Sequence, residues 1–596
     1  MSRSRSHVGR WLLLPCALVS VHVVAASVDP AWLVSLGVTL GGGPRSVSIS
    51  ALAVDSRGDS VIVATANTSR VPGIDSSRTT NGGAGLRFVA RLDATGAQRI
   101  VTVVGSPAVD GLARLGDRIT GLALDAGDNA YVVAFDVAHD VPLGGAYRSP
   151  LPRPFVYRVS PAGQVTRFAL PLDPAIRSVN ALAVDGAGNV IVVGSADAGL
   201  ATTPGVAYAT PAVALTCVAP YALKLAPGAT APAYATYLAY AGTQGEACAN
   251  DSGGPSLEPA AYAVAVDATG AAVITGQAEP GARASGGAVD RAPVVATLHA
   301  AGRWAASHAF VTKLAANGAA LWSARLGGAV VDRGTSVVLD ASGNVFVGGK
   351  TTSNTTFPSV AASLFRPYQL YGCTLNTPEF GFLAKLTPDA RALTWSGLLP
   401  ADGSNIDDCG SRDSPQPVVL ASNGRGGVFA SGFASSNHPA SMSRINPMAD
   451  DGDAFFAEID ANGTALYSTW MTLREAVRGI GVDADGNVRV AGGAFLRQLS
   501  PARLPIAVAP RVQPVCTGAA FDVDARVAAA GGVGAVDFTI DGAAAGTAPV
   551  RAGVATLSTN LAVGIHRIQA RYRGATAFDG ATSAVAYLAV HQAGLC

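Results

Sequence analysis

Histidines, carboxylates, serines and cysteines are the side chains through which this chain could do chemistry, so their spacing comes first. Past residue 26 the histidines are His139, His299, His308, His438, His566 and His591. No two stand close enough in sequence to serve as paired metal ligands, or as a base and its orienting partner on one element. No catalytic residue, metal centre or cofactor is therefore assigned. Ser252-Gly253-Gly254 lacks the strand-to-helix setting of a nucleophile elbow and reads as loop. Asp483-Ala484-Asp485-Gly486-Asn487 begins like a calcium loop but lacks the later acidic ligands and the closing glutamate. Its carboxylates read as turn formers.

The elements that position these groups are repeated hairpins. The phrase ALAVDSRGDSVIVA starts at Ala51 and returns as GLALDAGDNAYVVA at Gly121, ALAVDGAGNVIVVG at Ala181 and AVAVDATGAAVITG at Ala263. It returns again as SVVLDASGNVFVGG at Ser336, VVLASNGRGGVFASG at Val418 and GIGVDADGNVRVAGG at Gly479. Each copy is an apolar strand, a polar turn and a second β-branched strand. Asp55, Asp125, Asp185, Asp267, Asp340 and Asp483 are placed to accept the turn amides, and Gly58, Gly188, Gly270, Gly343 and Gly486 to take the positive φ. The sixth copy departs from the rule with Ala421 at the aspartate's place.

A third strand follows each hairpin, opening at Phe88, Phe155, Tyr221, Phe310, Phe382, Phe455 and Phe495. A fourth follows in six copies, as in ALWSARLGG from Ala320. The last copy runs instead into the proline-rich residues 501–510, while residues 32–42, WLVSLGVTLGG, precede the first hairpin with a spare strand. The expected architecture is all-β: a seven-bladed β-propeller whose seventh blade is completed by the N-terminal strand. Arg91, Arg158, Lys224, Lys313 and Lys385 recur at one place in the third strand, interrupted by Glu458 and Gln498, and are expected to snorkel from an apolar strand to water.

These phrases resemble the bacterial seven-bladed β-propeller repeat family, with a consensus near DAxGNVYVTG and AFVxKLxxxG. Residues 340–349 and 309–318 match it most closely, and TTSNTTFP at 351–358 matches the connecting piece. The resemblance covers about residues 32–500 and implies fold and export; the family has no shared catalytic residues to carry over. After Pro510 the style changes to VDFTIDG, VATLSTN, HRIQARYRG and SAVAYLAV, which resemble a bacterial immunoglobulin-like sandwich. The expected division is a signal peptide at 1–26, the propeller at 27–500, a linker at 501–510 and the sandwich at 511–596. Arg3, Arg5 and Arg10 ahead of an apolar run ending Val24-Ala25-Ala26 carry the signal-peptide reading. Leu13-Leu14-Pro15-Cys16 offers a lipoprotein alternative, with Pro15 where a small residue belongs. No later run is apolar enough to span a membrane as a helix.

With 42 basic and 41 acidic residues the chain has no field to attract nucleic acid. Cys16 leaves with the leader, and six cysteines remain in an oxidising setting. The strand order pairs Cys217 with Cys248 and Cys373 with Cys409, while Cys516 and Cys596 bracket the sandwich; each bridge contributes about 3 to 5 kcal/mol at most. The longest insertions join strands two to three (277–307, 351–379) and strand four to the next hairpin (241–259, 400–417), and both kinds leave the same face. Trp304, Tyr368, Tyr371 and Asn376 lie in or beside these insertions and form the candidate binding face. The leading expectation is an exported non-catalytic binding or cell-surface protein, with a protein or glycan ligand on that face. The rivals are an exported propeller hydrolase or lyase acting on a polymer or small ester, and a structural component of an envelope assembly.

Overall fold

The structure, a computed structural model, describes residues 33–35, 47–66, 86–93, 97–104, 121–136, 153–168, 173–210, 218–238, 259–278, 290–291, 307–328, 331–353, 356–360, 380–399, 419–434, 453–463, 465–470, 477–484, 486–493, 495–499, 506–510, 515–518, 520–527, 534–551, 554–573, 581–583 and 586–592. Everything regular among them is β-strand, and no helix is present.

Seven sheets share one plan. Their first strands are Val47–Val54, Leu122–Leu124, Ile176–Val184, Ala260–Val266, Asp332–Leu339, Val419–Ser422 and Gly479–Val482, and each is followed across its sheet by antiparallel neighbours in chain order. The seventh sheet takes its outer strand from the N-terminal side, where Leu33–Ser35 pairs antiparallel with Phe495–Leu499 in the register Leu33 to Arg497 and Ser35 to Phe495. The fourth sheet departs from the four-strand plan, because the short strand Asp290–Arg291 adds in parallel to its edge at Ala320–Leu326.

The turns explain why these residues form hairpins. Asp185 Oδ1 accepts Ala187 N at 3.0 Å and Asn189 N at 2.9 Å, Gly188 N donates to the Asp185 carbonyl, and Gly188 takes φ 78°. The second copy has Asp128 at that place, with φ 60°. The sixth copy corrects the expectation at Ala421: Asn423 supplies the turn acceptor two residues later, taking Arg425 N and Gly427 N at 2.9 Å each, and Gly426 takes φ 79°. An amide oxygen does the work of the carboxylate, so the turn is kept although the aspartate is gone.

Four first strands carry a bulge at one place, leaving Ser50, Asn180, Tyr262 and Thr335 outside the register. Near the bulge, strand one crowds strand two. A Cβ on Gly194, Gly276 or Gly349 would stand 2.1 Å from a carbonyl oxygen of Ser178, Ala260 or Arg333 respectively, so only glycine fits there.

Sheets pack face to face through alternating small and large residues. Ala51 of the first sheet packs on the same apolar cluster as Leu122 and Leu124 of the second, Ala123 on the same cluster as Val184 of the third, and Ala181 on the same cluster as Val264 and Val266 of the fourth. Ala263 and Ala265 border the same apolar cluster as Leu339 of the fifth sheet, and Val419 the same cluster as Ile480 and Val482 of the seventh. The seventh sheet's Ala491 and Leu496 share an apolar cluster with Ile49 and Leu52 of the first. The first strands neighbour one another in the same order, and that of the seventh sheet neighbours that of the first.

The C-terminal unit has two sheets. One is Ile506–Pro510, Phe521–Val527 and Val554–Thr559; the other runs through Val515–Cys516, Ala586–His591, Gly564–Tyr572, Ala535–Ile540 and Ala543–Pro549. Val536, Phe538 and Ile540 alternate inward and share a buried apolar cluster with Val523, Ala525, Ala555, Ile568 and Leu588.

Candidate functional site

The two ends of the seven sheets are chemically different. At the hairpin-turn end, the recurring cations are spent on the turn carboxylates. Lys224 Nζ lies 2.8 Å from Asp185, Lys313 Nζ 2.8 Å from Asp267, Arg91 Nη1 3.1 Å from Asp55, and Lys385 Nζ 3.8 Å from Asp340. This corrects the expectation that they snorkel: Arg91, Lys224 and Lys385 are buried, and Arg158 alone of the series is exposed. Three also reach the next sheet's turn. Lys224 Nζ donates to Ala316 O at 3.2 Å, Lys385 Nζ to Gly426 O at 3.0 Å and Ala461 O at 3.2 Å, and Arg91 Nη2 to Asp128 O. Each such cation fastens one sheet to the next. Burial opposes the ionised form of Asp185, but the hydrogen bonds from Lys224 and Asn189 outweigh it and hold the carboxyl below its ordinary range.

In the second sheet Tyr131 replaces the cation, its hydroxyl donating to Asp125 at 2.9 Å. In the sixth the polarity is reversed: Asn423 Nδ2 donates to buried Glu458 at 3.0 Å, and burial pushes Glu458 upward. In the seventh the cation moves across the ladder, with Arg489 standing opposite Gln498 and reaching Asp483 at 3.5 Å.

At the opposite end, strands one and three begin and strand two ends. There the junction of the fourth and fifth sheets holds a buried polar cluster that sequence reading missed. Asp332 opens the first strand of the fifth sheet; its carboxylate accepts Gly328 N at 2.8 Å, Ser353 Oγ at 3.2 Å and Thr351 Oγ1. His308, which opens the third strand of the fourth sheet, places Nδ1 3.7 Å from Asp332, both side chains fully enclosed. Among the described residues neither ring nitrogen of His308 has a hydrogen-bond partner, and nor has Oε1 of Gln277, whose Nε2 donates to Ser307 Oγ at 2.9 Å. No substrate reaches a pair so enclosed, so the arrangement is a polar junction between sheets rather than a nucleophile with its base. Among the described residues, no group of three or more His, Cys, Asp or Glu is placed to hold a metal.

Trp304, Tyr368, Tyr371 and Asn376 lie outside the described residues, as do Cys16, Cys217, Cys248, Cys373, Cys409 and Cys596. Cys516 is described only as part of the strand Val515–Cys516, paired in parallel beside His591. His139, His299, His438 and Ser252 are also outside. His566 belongs to the sandwich, its Nδ1 2.7 Å from Asp541, which with the Ala562 carbonyl raises its pKa. The signal that could have located His308 and Asp332 is their departure from the repeat: at the place of His308, two residues before the opening aromatic, other third strands carry Leu86, Ala219 or Phe380.

Residues 321–355 match the family model of the β-propeller repeat, and residues 508–591 that of the bacterial Ig-like domain (group 3). The chain thus carries both kinds of unit, as the repeat phrases and the change of style after Pro510 led one to expect. No curated relative matches it. Solved structures similar to it include the WD40 β-propeller domain of Doa1, at 10% identity and TM-score 0.34 over 79% of this chain and 96% of that one. Streptogramin B lyase is similar at 8% identity and TM-score 0.37, over 79% of this chain and 97% of that one. Hydrazine synthase of Kuenenia stuttgartiensis is similar at 9% identity and TM-score 0.38, over 76% and 94%. At these TM-scores none bears on function. Among the described residues no helix is long and apolar enough to cross a membrane.

Proposed function

We propose that this chain is an exported, non-catalytic binding protein. In this reading residues 1–26 are a leader, residues 27–500 form one seven-bladed propeller closed by the N-terminal strand, 501–510 link it onward, and 511–596 are an immunoglobulin-like spacer. A protein or glycan ligand docks on the face from which the strand two-to-three and four-to-one connections leave. The pairing of Leu33–Ser35 with Phe495–Leu499 and the shared cluster of Ile49, Leu52, Ala491 and Leu496 support closure. The observation that carries the choice of face is the division of polar groups. The turn end spends its polar groups, Tyr131 and Asn423 among them, on fastening its own turns and the neighbouring sheets, whereas the other end bears the longest connections and adds the enclosed pair Asp332 and His308. Rigid scaffolds with one variable end bind through that end.

The hydrolase or lyase reading has one observation in its favour, the His308 and Asp332 pair, and the enclosure of both side chains weighs against it. Glycan and protein arrays probed with residues 27–596, beside metal analysis of the same sample, separate the two. Exchanging 361–379 and 400–417 for short hairpin linkers, with Cys373 and Cys409 removed together, should abolish capture while leaving the melting transition in place. Undiminished capture by that variant, or a metal-dependent turnover, would overturn the reading.

A further inference from the structure

The C-terminal unit holds a histidine whose two ring nitrogens both face acceptors. His566 Nδ1 lies 2.7 Å from Asp541 Oδ2, and Nε2 lies 2.9 Å from the Ala562 carbonyl. A carbonyl oxygen only accepts, so Nε2 carries a proton. Without one, Nδ1 would turn a lone pair on a carboxylate oxygen at hydrogen-bond distance, so it carries a proton too and the ring is an imidazolium. Asp541 is fixed from its other side: its backbone N donates to Arg567 O, and its Oδ1 accepts Arg567 N, each at 2.8 Å. With Gly542 it makes the two-residue turn between Ala535–Ile540 and Ala543–Pro549, at φ 52° and 85°.

The other acceptor belongs to a different part of the unit. Ala562 lies in residues 560–563, which cross from Val554–Thr559 in one sheet to Gly564–Tyr572 in the other. Leu561 packs on the apolar cluster, and its carbonyl accepts Thr517 Oγ1 at 3.3 Å. Val563 and Ile565, on either side of Gly564, are exposed. His566 thus ties a crossover that bears an exposed apolar pair to the turn of the neighbouring hairpin. Asp541 is the charged group that faces the ring. The crossover has no charged residue, and Leu588 stands opposite His566 across the ladder. Strand alternation places Arg567 and His591 on the other face of the sheet.

We propose that His566 is a proton-controlled clasp: charged, it holds the crossover 560–563 to the Asp541–Gly542 turn, and on losing its proton it lets the crossover go. A neutral ring has one N–H for two acceptors. Whichever nitrogen keeps it, the other turns a lone pair on an oxygen, so one of the two ties becomes a repulsion. The bonds to Asp541 and to the Ala562 carbonyl raise the pKa of the ring above its ordinary value, and those from Arg567 N and His566 lower that of Asp541. The folded value of His566 is the higher one, so the clasp is intact below the ordinary histidine value and is lost as pH rises through the raised one. On the acid side it lasts until Asp541 takes up a proton.

The test uses residues 27–596, with histidine labelled at Cε1, and the variants His566→Gln and Asp541→Asn; asparagine tolerates the positive φ of the turn. NMR titration follows the ring. Hydrogen exchange, expressed as protection factors so that the intrinsic effect of pH is removed, follows peptides spanning 560–567, with 521–527 as the comparison. The His566 signal, identified by its loss in His566→Gln, should titrate above the ordinary histidine value in the parent and lower in Asp541→Asn. Protection of 560–567 should fall about fivefold across that midpoint in the parent, the loss of about one hydrogen bond. The step should move down with the midpoint in Asp541→Asn and vanish in His566→Gln, while 521–527 stays level. A His566 midpoint at or below the ordinary value, protection without a step, or a step that persists in His566→Gln overturns the clasp. Where His566→Gln lowers protection throughout the unit, Asp541→Asn decides, because it leaves the ring in place: a step that fails to follow the lowered midpoint overturns the proposal.

Discussion

Asp267→Asn isolates the charge of one turn from its shape. Asp267 accepts Lys313 Nζ at 2.8 Å, Thr269 N at 2.9 Å and Ala271 N at 3.1 Å. Burial alone would raise its pKa, but the bonds from Lys313, Thr269 and Ala271 outweigh that and lower it to about 2. Against an unfolded value of about 3.9, linkage makes the ionised form worth about 2 kcal/mol at neutral pH. The folded value is the lower one, so this stabilisation is present above pH ~4 and is lost as pH falls toward 2, with about 1 kcal/mol gone by pH ~3. Asparagine keeps an acceptor for the turn amides and loses only the charge. Urea unfolding of residues 27–596, followed by tryptophan fluorescence, should therefore find Asp267→Asn less stable by about 2 kcal/mol near neutrality, with the gap about halved by pH ~3. Lys313→Met should lose a comparable amount, and the double variant should lose less than the two together, because each single change strands one partner. A gap that does not change with pH, or strictly additive losses, refutes the assignment of that energy to the ion pair.

A chain beginning at Gly43 lacks the strand Leu33–Ser35 and should melt lower and less cooperatively by calorimetry; a transition matching that of residues 27–596 would show the strand to be dispensable. Non-reduced peptide mapping should recover Cys217 with Cys248, Cys373 with Cys409 and Cys516 with Cys596, and a pair joining different repeats contradicts the strand order used to assign them. Asp332→Ala should cost about 3 kcal/mol, since Gly328 N, Ser353 and Thr351 lose this acceptor in an enclosed junction, whereas His308→Gln should be nearly neutral because the ring makes no hydrogen bond among the described residues. Equal effects of these two substitutions in denaturant unfolding would break that account.

What the sequence made legible was local. A turn aspartate, its glycine and the strands on either side stand within fifteen residues, so the hairpins could be read and counted from their own chemistry. Even the miss at Ala421 was local, a shift of two residues to Asn423 with the same hydrogen bonds. The cations of the third strand were visible as a periodicity, but their burial was not, because their partners come from the turn of the same sheet and from backbone carbonyls of the next. Carbonyl acceptors leave no trace in residue identity. The bulges were hidden for a related reason: ALAV reads as an unbroken strand whether or not the residue before it is in register. His308 and Asp332 meet only because neighbouring sheets bring them together. The residues expected on the binding face, Trp304, Tyr368, Tyr371 and Asn376, fall outside the described residues.

The seam between the seventh and first sheets joins elements from opposite ends of the sequence, and its chemistry differs from the other junctions. Among the described residues Arg489 Nε and Nη1 have no hydrogen-bond partner, and nor has Oε1 of Gln498 opposite it. Each unmet buried group costs about 1 to 3 kcal/mol, so the polar fastening that serves the third and fifth sheets is weak here. Packing takes its place. The seventh sheet has glycine at both positions where other first strands have mostly alanine: a Cβ on Gly479 would fall 2.8 Å from Leu52 Cβ, and one on Gly481 2.5 Å from Val54 Cγ2. The backbones approach more closely there than alanine allows, and Ile49 N reaches Gly493 O at 2.6 Å across the seam. A contact made of backbone approach and apolar interdigitation requires no matched charges from distant parts of the chain. It also concentrates the demand for small residues at two positions of this seam, 479 and 481, where an added methyl group would meet Leu52 and Val54.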